Sequence, residues 1–93
     1  MIQSFACKHT LKIWNGITVR AFPEDMQDRA LRKLRQLDAS KTTDDLKNPP
    51  GNRLESLKGD RKGQMSIRIN DQWRLCFVWQ DGEAYDVEIA DYH

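Results

Sequence analysis

Two hydrophobic periods divide the chain. Met26, Ala30, Leu34 and Leu37 recur at spacings of four, four and three, with Leu31 beside them. That is the apolar stripe of a helix. Phe22-Pro23-Glu24-Asp25 opens it, since proline suits the first helical position and two carboxylates meet the positive end of the helix dipole. Arg29, Arg32, Lys33 and Arg35 fill the remaining positions and read as a solvated face. A shorter helix is expected from about Ser4 to Trp14, with Phe5, Leu11 and Trp14 inward; Met1–Phe5 as an edge strand is the alternative. Thr43 can cap one turn through Lys47 before Pro49-Pro50-Gly51 stops it. The proline pair and its polar neighbours mark residues 41–51 as mobile.

After Gly51 the period becomes two. Met65, Ile67 and Ile69 alternate with polar residues, as do Trp73, Leu75, Phe77 and Trp79, and then Tyr85, Val87 and Ile89. Three half-buried strands joined by short turns make an antiparallel meander, with Arg53–Leu57 as a candidate fourth. The pattern predicts an α+β fold, two or three N-terminal helices packed on a small three- to four-stranded antiparallel sheet. Register follows from keeping apolar residues on one face. An Asn70-Asp71-Gln72 loop sets Ile67 opposite Leu75 and Arg68 opposite Arg74. A three-residue loop, Gln80-Asp81-Gly82, with Gly82 left-handed, restores the pattern in the next hairpin. Trp73 and Trp79 then fall on the core face and read as packing.

Composition bounds the rest. Ninety-three residues make one domain, 1–93, with no space for a separate cofactor domain. No run of about 18 apolar residues suggests a membrane span. The start, Met1-Ile2-Gln3-Ser4-Phe5, leads into Lys8 and Lys12 rather than a secretory apolar region. Cys7 and Cys76, His9 and His93 lack metal-site spacing. A cytoplasmic protein without metal, cofactor or membrane partner is expected. The formal net charge of +1 argues against a general polyanion binder. Segment by segment the charge is uneven. Arg53, Lys58, Arg61, Lys62, Arg68 and Arg74 crowd residues 53–74 against three acidic side chains, whereas residues 81–91 hold Asp81, Glu83, Asp86, Glu88 and Asp91 and no basic one. A local basic field can gather an anion whatever the total.

The predicted register sets Arg68 and Arg74 side by side on the exposed face, a mutually repulsive pair. Either a carboxylate such as Glu88 neutralises them or they seat a phosphate, whose oxygens match guanidinium forks. Tyr92 falls on the same face, and a Tyr-His pair beside two arginines is an unusual strand end.

Three separated motifs carry a resemblance. They are Arg53-Leu54-Glu55-Ser56-Leu57-Lys58-Gly59-Asp60-Arg61-Lys62-Gly63, the run Ser66-Ile67-Arg68-Ile69-Asn70-Asp71-Gln72-Trp73-Arg74-Leu75-Cys76-Phe77, and Asp91-Tyr92-His93. In this order and spacing, over essentially the whole chain, they resemble the HigB family of toxins, a killer-protein group within the RelE-type superfamily. The resemblance implies a toxin that enters the A site of the 70S ribosome and cleaves messenger RNA by attack of the substrate's own 2′-hydroxyl. It further implies a HigA-like helix-turn-helix antitoxin as partner, with operator DNA reached only through that antitoxin.

On this resemblance Arg74 stabilises the phosphate, Lys58 is the second cation, and Tyr92 and His93 are the terminal catalytic pair, positioned by Asp91. Some relatives carry a histidine where this chain has Glu55, which makes Glu55 a candidate base, and an arginine where it has Asn70. Arg53, Arg61, Lys62, Arg68 and Asn70 are the expected RNA contacts. A weakly catalytic ribosome blocker and an antitoxin-binding co-repressor are the alternative functions.

Overall fold

The structure, a computed structural model, describes residues 1–91. Two helices, α1 (Lys8–Trp14) and α2 (Glu24–Ala39), precede four strands: β1 (Glu55–Ser56), β2 (Met65–Arg68), β3 (Trp73–Gln80) and β4 (Glu83–Asp91). The strands form one antiparallel sheet in the order β1-β2-β3-β4, the α+β layout that the two periods predict. No helix among the described residues is long and apolar enough to cross a membrane.

Helix α2 buries Met26, Ala30, Leu34 and Leu37 as its period requires, with Pro23 standing at the N-cap instead of inside the first turn. Helix α1 begins later than expected because the residues before it pair with β4. Gln3 N donates to Ala84 O at 2.7 Å and Ala6 N to Val87 O at 3.0 Å, so Met1–Phe5 lies along β4 as the edge-strand alternative expects, though through isolated parallel bridges at Ile2 and Phe5 and not as a regular strand. A helix starting at Lys8 turns Ile13 into the core and leaves Leu11 40% exposed, against the expected inward Leu11. Phe5 and Trp14 are half-buried and pack together.

Segment 41–51 is held by both local and tertiary contacts. Thr42, one residue earlier than expected, forms a reciprocal capping box with Asp45 on the 3₁₀ turn Thr43–Lys47. That turn carries Leu46 into the core. Buried Asn52 then fastens the segment, donating to Leu46 O at 3.1 Å and to Gln36 Oε1 of α2 at 3.2 Å.

The β2–β3 hairpin has the expected register: Ile67 opposite Leu75 and Arg68 opposite Arg74. Asn70 Oδ1 accepts from the backbone N–H of Gln72 and of Trp73, both at 2.9 Å, and closes the turn. The β3–β4 hairpin differs. Gln80 pairs with Glu83, so the turn is the two residues Asp81-Gly82, both left-handed at φ 52° and 79°. Such a turn suits the strand twist but would set apolar against polar residues further along. A bulge at Asp86 (φ 52°) supplies the odd residue within β4, shifting the register between Cys76 and Val78. Ala84, Val87 and Ile89 are thereby buried, and Tyr85 leaves the face that strict alternation assigns to it. Trp73 packs edge-on to Phe22 with ring centroids 5.2 Å apart, and Trp79 edge-on to Phe77, as packing residues.

Candidate active site on the face away from the helices

Alternation sends Ile67, Leu75 and Phe77 towards the helices, and Ser66, Arg74 and Cys76 to the other side of the sheet, while Arg68, where β2 ends, lines a pocket with Arg29, Arg32 and Lys33 of α2. There one row of cross-strand neighbours runs Glu55, Ser66, Cys76, Glu88 over all four strands. The next row is Arg68, Arg74 and Ala90. Segments far apart in sequence thus meet at one arginine.

Arg74 is the organising group. It is only 7% exposed, a correction to its expected place on a solvent-exposed face. Its Nε donates to Ser66 Oγ at 2.7 Å; one Nη2 bond runs to Arg53 O at 2.6 Å and another to Ser66 O at 3.3 Å. Glu55 Oε1 lies 3.6 Å from Nε. A buried cation needs both acceptors and counter-charge, and these groups supply them. Arg53 presents its carbonyl because its own backbone is left-handed (φ 46°), while its side chain stays exposed.

The carboxylates do not divide as Glu88 against the Arg68–Arg74 pair. Glu88 instead takes Arg61, at 2.6 Å, which also donates to Gln64 Oε1 at 3.0 Å. The hydrogen bond to Glu88 holds the Arg61 guanidinium still further towards its charged form. Arg68 pairs with exposed Asp71. Between them, burial pushes the Cys76 thiol up, with Arg61 acting in the opposite direction, so Cys76 sits in the row as a neutral group.

Lys58 and Lys62 are exposed on either side of the 3₁₀ turn Gly59–Arg61, with no ion-pair partner among the described residues. Asn70 spends its side-chain oxygen on the turn, leaving its amide N–H₂. Asp91 ends β4 opposite Trp73 and accepts from Gln72 Nε2 at 3.1 Å. Tyr92 and His93 lie outside the described residues.

The structure therefore gathers Arg74, Glu55, the Arg53 carbonyl and Arg61 on one face, with Arg68 opposite Arg74 in the backbone register and its side chain turned to the α2 pocket. Sequence reasoning missed Ser66 as the seat of Arg74. A hydroxyl at a polar-face position one step diagonal from an arginine was the available signal.

A family model described as the RelE-like toxin of the type II toxin-antitoxin system HigB matches residues 3–93. The chain belongs to the HigB-like toxin family. It is 49% identical over 65 residues to Toxin HigB-1 of Vibrio cholerae, covering 70% of this chain and 68% of that protein. It is 32% identical to the Endoribonuclease HigB of Proteus vulgaris over the full length of both. Among solved structures, the YoeB–YefM complex from Staphylococcus aureus matches with a TM-score of 0.61 at 17% identity, covering 100% of this chain and 98% of that one. A mutant of YafQ from Escherichia coli matches with a TM-score of 0.61 at 16% identity, covering 98% of this chain and 91% of that one. These two share the RelE-like fold of this HigB-like chain.

Proposed function

We propose that this HigB-like toxin is a messenger-RNA endonuclease that works in the ribosomal A site and is held silent by a HigA-like helix-turn-helix antitoxin. The observation that carries the reading is Arg74, a cation held rigidly by Ser66, Arg53 and Glu55 on the sheet face that also bears Arg61. A preorganised guanidinium stabilises charge developing on a phosphate without reorganising during the reaction. The full-length likeness to an endoribonuclease supports the activity, and the family supports the antitoxin.

The substrate's 2′-hydroxyl attacks the adjacent phosphorus while the bond from phosphorus to the 5′-oxygen breaks. A cyclic 2′,3′-phosphate and a free 5′-hydroxyl result. Arg74 and Lys58 meet the non-bridging oxygens. One group removes the 2′-proton and another protonates the leaving oxygen. His93, Tyr92 and Glu55 are the groups for those transfers, with Asp91 positioning the first two. Histidine is the side chain that ordinarily titrates near neutrality. Arg53, Lys62, Arg68 and Asn70 would hold the RNA strand, and Arg61, fixed by Glu88, would present its remaining N–H groups.

Inducing the wild type, Arg74→Ala and a chain lacking Tyr92 and His93, and then mapping messenger 5′ ends, tests the reading. Discrete cuts with the wild type and none with either variant are expected. Growth arrest without cuts would overturn the nuclease in favour of a toxin that blocks the ribosome by occupancy.

A further inference from the structure

Helix α2 does more than present a solvated basic face. Arg29, Arg32 and Lys33 project from it into an open pocket of about 300 Å³, and Arg68 of β2 enters from the sheet. Gln36, Pro49, Gly51 and Ile69 complete the wall, so four cations converge and no carboxylate among the described residues lines the pocket. Arg29 and Arg32 have no ion-pair partner among the described residues. Lys33 donates to Asn52 Oδ1, a neutral acceptor, and Arg68 pairs with Asp71, whose side chain is 99% exposed. Crowding like charges costs free energy. Burial and the charges of Arg68 and Arg29 together make Lys33 easier to deprotonate than an ordinary lysine, a strain that a bound anion would relieve.

Two features decide what that anion is. Pro49, Gly51 and Ile69 give the pocket an apolar wall as well as cations, which suits a nucleotide with its ribose and base better than a bare ion. The pocket also adjoins the arginine site through consecutive residues. Asn52 accepts from Lys33 of the pocket, while Arg53 O accepts from Arg74. Arg68 lies directly opposite Arg74 in the sheet.

We propose that this pocket is a second RNA site, which takes a nucleotide of the same strand beyond the phosphate held at Arg74. The assignment rests on the endonuclease reading for its ligand class. It adds a place where the strand is gripped away from the reacting phosphate, with Arg29 and Arg32 as the main anion contacts.

The test uses the whole toxin and a 2′-O-methyl octaribonucleotide, which cannot be cleaved by 2′-attack. Substituting R29Q together with R32Q is expected to raise its Kd at least tenfold. The slope of log Kd against log salt should fall by about 1.4, two phosphate contacts at about 0.7 each for a single strand. Substituting K12Q with R20Q, two exposed cations on α1 and the loop after it, removes the same charge and should change Kd less than twofold. The tenfold loss should persist when Arg74 is alanine.

Equal effects of the two double variants would reduce the pocket to overall charge and overturn the proposal. So would a wild type that binds no oligonucleotide yet cuts messenger in cells, which leaves the nuclease reading standing. A polyglutamate peptide that competes at equal affinity and is lost with R29Q/R32Q would also overturn it, assigning the pocket to an acidic protein segment.

Discussion

Arg74 Nε donates to the hydroxyl of Ser66 at 2.7 Å, and both residues are buried. Replacing Ser66 by alanine removes an acceptor from a buried cation, at about 1–3 kcal/mol of folding stability. Activity should fall further than stability alone explains, because the guanidinium loses the contact that sets its angle. Threonine keeps the hydroxyl and should restore much of the cleavage. Messenger cutting by the Ser66→Ala and Ser66→Thr variants, at matched soluble amounts, measures the difference.

Lysine is the conservative replacement for Arg74 only in charge. A single ammonium cannot reach Ser66 Oγ, Arg53 O and Glu55 in the guanidinium's planar fork. Arg74→Lys should therefore lose at least tenfold in cutting while still arresting growth more than Arg74→Ala. Primer extension on a reporter messenger, run beside growth curves, gives both readings. Equal activity of Arg74→Lys and wild type would show that charge alone suffices.

Gly82 occupies the second place of the β3–β4 turn at φ 79°, and a Cβ there would stand 3.2 Å from Lys41 O. Gly82→Ala should cost about 1–2 kcal/mol through left-handed backbone strain and that contact. Urea denaturation of the purified chain gives the value.

Burial of the Cys76 thiol predicts an alkaline weakness. Its folded pKa is raised, so above the ordinary thiol range the folded chain retains a proton that the unfolded chain has lost. The contribution is fully present below that range and disappears as pH rises through the folded value. Stability should decline as pH rises beyond the ordinary thiol range, and Cys76→Ser should flatten part of that decline. An identical alkaline slope in the serine variant would remove Cys76 as the cause.

What the alternation of side chains determines was readable, and what depends on close approach was not. The apolar positions fix the β2–β3 register, because one residue of slip would send Ile67 and Leu75 to the wrong face, and Arg68 then has to meet Arg74. The same parity demands an odd residue in the β3–β4 hairpin without saying where. Turn chemistry favours the two-residue Asp81-Gly82 corner, so the odd residue moved to Asp86. Arg74 reads as exposed because alternation knows only two faces, whereas burial there comes from Glu55 of β1, two strands away, and from Arg53 just before it, reaching across the sheet. The cation pocket joins α2 to β2 and the 49–52 segment, a meeting that no local pattern encodes.

Translation makes residues 1–6 long before their partners on β4; Ser4 Oγ accepts from Asp86 N at 2.8 Å across a separation of 82. Until β4 has left the ribosome, the opening segment has no strand to join and Arg61 has no Glu88. The contacts that complete the sheet are non-local, the kind that form late. A newly made molecule therefore cannot complete this sheet until β4 has emerged, whatever the rest of the chain has already folded.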